Sequence, residues 1–150
     1  MATRHFTVLA LASGILAGAA TVTHADDVAD GIAALPGTVE DVRIGGTWGE
    51  GERIGIYRIV VARTAAEAVT ARMFVQWVAY EADGGATVNN SIEITELDEL
   101  DIDIVDYTSE ADAEGLSVYI QTLNPNDSAD ESYELFVFSP TDYRFGPASN

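Results

Sequence analysis

From Thr38 onward the chain runs in short stretches where apolar and polar residues alternate, the period of strands with one buried face. Val39, Val42 and Ile44 lead through Gly45-Gly46 to Trp48, and Gly49-Glu50-Gly51-Glu52 reads as a turn. Arg53 to Arg63 holds Ile54, Ile56, Tyr57, Ile59, Val60 and Val61, a β-branched run that suits a pleated surface. Met73 to Tyr80 is a second dense run, closed by the hairpin-type turn Asp83-Gly84-Gly85. Further strands are expected over Ser91 to Leu97, over Leu100 to Val105, and over Leu116 to Gln121. The turn-rich stretch Asn124 to Asp130 precedes Tyr133 to Phe138, the last strong strand, and Ser139 to Asn150 reads as a tail.

About seven strands with regular turn signals and no crossover helix predict an all-β fold, an antiparallel β-sandwich. One stretch carries a competing signal. Thr64-Ala65-Ala66-Glu67 matches a capping box, so residues 65–82 have a helical reading. Glu67, Thr70, Arg72, Gln76 and Glu81 do not gather on one helical face, however, and Phe74, Val75, Trp77, Val78 and Tyr80 suit a sheet. A turn near 64–68 followed by a strand is the expectation.

Upstream the pattern changes. Arg4-His5 gives a short positive start, Phe6 to Ala20 is apolar or small, and Thr23-His24-Ala25 is a small-residue cleavage site followed by Asp26 and Asp27. These are the three parts of a cleavable secretory signal. The apolar stretch is shorter than the roughly 20 residues that span a bilayer. The expected organisation is a signal peptide over 1–25, a lead-in over 26–37 with a brief helix through Val28, Ile32 and Leu35 that ends at Pro36-Gly37, and one β domain over 38–150. The expected destination is periplasmic or secreted, with no membrane insertion of the mature chain.

Composition narrows the chemistry. There is no Cys and no Lys, and both histidines, His5 and His24, lie within the leader. Disulfides are impossible, so the domain must rely on its core. Residues 26–150 lack the side chains of Ser-His-Asp and Cys-His triads, Schiff-base lysines, P-loop lysines and His-based metal sites. Proton transfer is left to Asp, Glu and Tyr, and metal ligation to oxygen, which favours Ca²⁺ or Mg²⁺. All 25 acidic residues lie after Ala25, facing six of the seven Arg. Nucleic acid is therefore excluded as a partner by charge.

Four candidate sites follow. Asn126, Asp127, Asp130 and Glu131 place oxygen ligands in one loop and are the Ca²⁺ candidates, although the loop lacks the central Gly and distal Glu of an EF-hand. Glu99, Asp101 and Asp103 share one face of an expected strand, where a solvated surface is the simpler account. A catalytic carboxylate pair needs only Asp and Glu, as in a glycosidase-like hydrolase, but no Asp-Thr-Gly or Asp-Ser-Gly motif is present. Trp48, Trp77, Tyr80, Tyr119 and Tyr143 are candidates for a sugar-stacking platform, against a plain core role. Arg144 is expected to pair with an acid as the tail docks, and Arg58 to pair with a carboxylate at a sheet margin. The expected role is an exported, non-enzymatic domain with a binding, accessory or structural role at the cell envelope. Its partner would be a protein, a glycan or a divalent cation; the strands over 54–61, 73–80 and 133–138 are apolar on both faces, so the outer face of one sheet would serve a protein or glycan partner or a homo-oligomer.

Overall fold

The computed structural model describes residues 24–64 and 68–149. A helix α1 (His24–Ala33) and the body that begins at Leu35 are separate compact units. Most of the expected leader lies outside the described residues. Among those described, no helix is long and apolar enough to cross a membrane.

The body consists of two antiparallel four-stranded sheets. The first is built from β1 (Val39–Glu50), β2 (Arg53–Arg63), β3 (Ala71–Tyr80) and β4 (Ala86–Glu93), in that order. The second is built from β5 (Asp103–Ala111), β6 (Leu116–Leu123), β7 (Asp130–Ser139) and β8 (Asp142–Pro147), again in order. Each sheet is thus a meander made from one stretch of chain, and residues between β4 and β5 carry the crossing from one sheet to the other. Alternation does the folding work. Tyr57, Ile59 and Val61 of β2 and Met73, Val75 and Trp77 of β3 point inward, as do Leu116, Val118 and Ile120 of β6 and Leu135 and Val137 of β7. These side chains form one shared cluster, which places the two sheets face to face as in a sandwich.

The helical reading of 65–82 gives way to β3 from Ala71; residues 65–67 lie outside the described residues. Two other expectations are corrected. The segment read as an acidic strand is not one: Thr95–Glu99 forms a short helix α2, and Asp101 sits at φ 51 in the left-handed region. Glu99 and Asp101 therefore do not line a strand face with Asp103. The cause is the crossing itself. The chain must leave one sheet and enter the other, and one helical turn lets Ile94, Leu97 and Ile102 all drop into the core. Glu96 and Asp98 in the first turn suit the positive end of a helix. The tail, in turn, is an eighth strand. β8 pairs with β7, and Phe145 stacks on Tyr133 with centroids 5.1 Å apart.

Because the core is one thin layer, deleting a central side chain is costly while deleting an outward one is not. Leu135 is fully buried and Val105 is 60 % exposed. Leu135→Ala is expected to destabilise by about 3 kcal/mol and Val105→Ala by less than about 0.5 kcal/mol, read as urea-denaturation midpoints at unchanged slope.

Candidate functional site

In a meander every second turn falls at the same end. The β1–β2, β5–β6 and β7–β8 turns meet in this way and enclose a recess of about 310 Å³, the lower end of what a small ligand needs. Its floor is aromatic. Tyr57 and Trp77 stand opposite each other on β2 and β3, both buried, with ring centroids 5.6 Å apart at 71°. Trp48 of β1 adds a wall, and its indole Nε1 donates to the carbonyl oxygen of Ile56 at 3.0 Å. The ring lies over Gly55, where a Cβ would come within 2.8 Å of the indole and overlap the Val78 carbonyl. Only glycine there lets Trp48 lie flat on the sheet.

Polar groups ring this floor. Asn89 and Asn90 come from β4 at a register shift opposite Trp77 and Val78, a bulge that re-aims side chains. Arg53 comes from the β1–β2 turn and Asp112 and Glu114 from the β5–β6 turn. Asp112 Oδ1 accepts the backbone N–H groups of Glu114 at 2.8 Å and Gly115 at 3.2 Å, so the turn itself fixes that carboxylate. Burial pushes the Tyr57 phenol above its ordinary range, and the charge of Asp112 adds to the push. The result is an aromatic surface edged by two amides, the three carboxylates of Glu50, Asp112 and Glu114, and a guanidinium, with no histidine, lysine or cysteine among its lining residues. Such a set stacks on flat or C–H-rich faces and exchanges hydrogen bonds with hydroxyl groups.

A second cleft, of about 460 Å³, lies where the edge strands β1 and β5 approach. Both strands carry register shifts there, between Val39 and Asp41 and between Ile104 and Asp106. Arg43 reaches across, donating to Asp106 Oδ1 at 2.9 Å and to the Tyr107 carbonyl at 3.1 Å, with its guanidinium over the Tyr107 ring at 4.5 Å. Its Nε lies 2.6 Å from Asp41 Oδ2, a charge contact without hydrogen-bond alignment. Arg43 holds the Asp106 carboxyl below its usual range, and Arg63 does the same for Glu40. Burial, with Asp41 beside it, raises the Tyr107 phenol. This cleft is a charged clasp between edges.

The structure brings Trp48 and Trp77 together, as a sugar platform requires, and separates the rest. Tyr80 is exposed on the outer face of the first sheet and Tyr119 on that of the second. Tyr143 turns inward and donates to Glu96 Oε2 at 2.9 Å. Arg144 lies over the Phe138 ring at 5.5 Å rather than against an acid. Arg58 donates to Gln76 Oε1 at 2.8 Å rather than to a carboxylate, because β2 is flanked by β1 and β3 and its cross-strand neighbours are Ile44 and Gln76. Tyr57, Asn89, Asn90 and Asp112 escape the sequence reading, since only strand register shows which residues meet Trp77.

The loop with the Ca²⁺ candidates lies in the β6–β7 turn. Asn124 Oδ1 accepts Asn126 N–H at 2.9 Å, Asp127 Oδ1 accepts Ala129 N–H at 3.0 Å, and Glu131 Oε2 accepts the Tyr133 hydroxyl at 2.5 Å. That last bond raises the Tyr133 phenol to about 12. Asp130 opens β7 opposite Leu123. Several candidate oxygens thus serve the turn, and among the described residues no group of three or more acidic side chains is placed to hold a metal ion.

Comparison of the chain with protein-family models, curated proteins and solved structures finds no match.

A formal charge of −18 makes cation screening stabilising whatever the ion. Thermal melts in CaCl₂, MgCl₂ and NaCl at matched ionic strength are expected to rise together. A saturable rise with Ca²⁺ alone, lost in Asp127→Asn or Glu131→Gln, would instead mark a specific site.

Proposed function

We propose that the chain is an exported, non-enzymatic binding module of the cell envelope, periplasmic or secreted, whose hairpin-end recess holds a polyhydroxylated ligand of the glycan type. The observation that carries this reading is the convergence of Trp48, Tyr57 and Trp77 with Asn89, Asn90 and Asp112 in one recess. Aromatic faces receive the C–H face of a sugar ring, and amides and a turn-fixed carboxylate accept and donate to its hydroxyls. The export reading is supported by the leader pattern over residues 1–25.

Binding fits this chemistry better than hydrolysis. A carboxylate hydrolase needs an acid held protonated near neutral pH. Glu40 and Asp106 are instead held low by arginine partners, and Asp112 is committed to two backbone N–H groups.

Tryptophan fluorescence tests the site, because Trp48 and Trp77 are the two tryptophans of the chain. Titration with a panel of neutral oligosaccharides is expected to give saturable quenching, and Trp48→Ala or Asn90→Ala to weaken binding at least about tenfold at unchanged fold. A flat response to the whole panel, or equal affinity in both variants, removes the reading. The export reading has its own measurement. Intact mass of the chain recovered outside the cytoplasm is expected to start at Asp26; retention of residues 1–25 would refute it.

A further inference from the structure

The outer face of the first sheet carries, among the described residues, a single acid, Glu93, in a chain rich in them. Register places Val42, Val60 and Phe74 in one row, Ile44, Arg58 and Gln76 in the next, and Thr47, Ile56, Val78 and Val88 in a third. Ile54 and Tyr80 extend the apolar surface toward one end. Several of these side chains stand well out, with Ile44 65 % and Ile54 62 % exposed. Among the described residues the charges on this face are Arg58, bound to Gln76, and Arg72, opposite Ala62 and paired with Glu93, the face's one carboxylate. The second sheet differs. Its outer face carries Asp106, Glu110 and Glu134 between Tyr119 and Phe136. With 25 acids in the chain, a four-stranded face holding one of them is a departure from a uniformly acidic surface.

We infer that this face is a homodimer interface, occupied by the same face of a second copy. Two features select the copy over an unrelated partner. A basic partner would be drawn to the acidic surfaces, not to a face that carries two arginines and one carboxylate. For two copies of a chain at −18, this face, with a single carboxylate, is a direction of approach that sets few like charges against each other. The size also fits. Four strands about 4.8 Å apart, with eleven residues in β2 at about 3.3 Å each, present about 700 Å², close to the roughly 800 Å² per partner of a standard interface. A twofold axis lying in the plane of the contact, parallel to the sheet, sets one apolar surface against its own copy, since an isologous interface uses the same patch twice.

Analytical ultracentrifugation of the purified chain between about 1 and 100 µM tests this, because the range brackets micromolar affinity. A concentration-dependent dimer is expected, and it tightens as NaCl is raised, since salt screens the repulsion between the acidic bodies and leaves apolar contact intact. Ile44→Glu and Ile54→Glu each place a carboxylate on the patch in both copies at once. Each is expected to weaken dimerisation roughly a hundredfold, a tenfold loss for each buried charge. Both sites are exposed, so the monomer fold is retained, checked by circular dichroism. Phe136→Glu, on the outer face of the second sheet, leaves the dimer unchanged. A chain that stays monomeric throughout the range overturns the inference. So does a dimer that salt dissociates, or one that survives both isoleucine variants and is lost in Phe136→Glu.

Discussion

Everything in this body depends on one apolar layer held between two sheets. The chain has no cysteine, so no disulfide joins the sheets. Each sheet is a meander from its own stretch of chain, so no strand is shared between them. Their association rests on side chains such as Ile59, Met73 and Val75 meeting Leu116, Ile120 and Leu135. Interiors are packed like crystals, and a layer one side chain deep on each side has little room to relax around a loss. The crossing segment reinforces this layer: Ile94, Leu97 and Ile102 enter it from α2 and its flanks, so the only covalent link between the sheets is itself packed into the core.

The recess is a by-product of the same geometry put to use. A core layer must end where strands turn, and there the inward-facing residues meet solvent. At the hairpin end those residues are Tyr57 and Trp77, too large to be fully withdrawn and too aromatic to be indifferent to what lies on them. Gly55 and the β4 bulge then decide the shape. Without a side chain at residue 55 the Trp48 ring lies down on the sheet, and the extra residue at the bulge turns Asn89 and Asn90 toward the opening. Rigid strands, not mobile loops, carry most of the aromatic surface, which favours a preformed site.

The strands were legible in the sequence wherever alternation was bounded by turn chemistry. Asp83-Gly84-Gly85 marks a real turn, with Gly84 at φ 87 and Asp83 Oδ1 accepting the Gly85 N–H. Two segments were not legible, for different reasons. Over 95–99 the apolar Leu97 satisfies period two and a single helical turn equally well, and only the need to cross between sheets separates the two. Over 142–147 the strand is short, contains Gly146 and ends at Pro147; it is stabilised by a neighbour, β7, that local pattern cannot supply. The site was half legible. Trp48 and Trp77 stood out by type, but their meeting depends on the register of β2 with β3 and on the absence of a side chain at Gly55.

The use of arginine shows how an acidic sandwich keeps its open sides in order. Edge strands leave backbone groups unpaired and invite wrong pairing. Of the six Arg after residue 25, Arg43 joins β1 to the facing β5, Arg63 joins β2 to Glu40 in β1, and Arg72 joins β3 to Glu93 in β4. Exposed pairs of this kind contribute little to stability, about 0–1 kcal/mol each. Their value lies in position. Arg43 donates to the Tyr107 carbonyl, which belongs to an edge strand, and to Asp106 just past the β5 bulge. It therefore occupies an edge acceptor that another chain would otherwise pair with, and it does so only in the register that brings both bulges together. Positive charge is scarce in this chain, and it stands where strand order, rather than raw stability, is at risk.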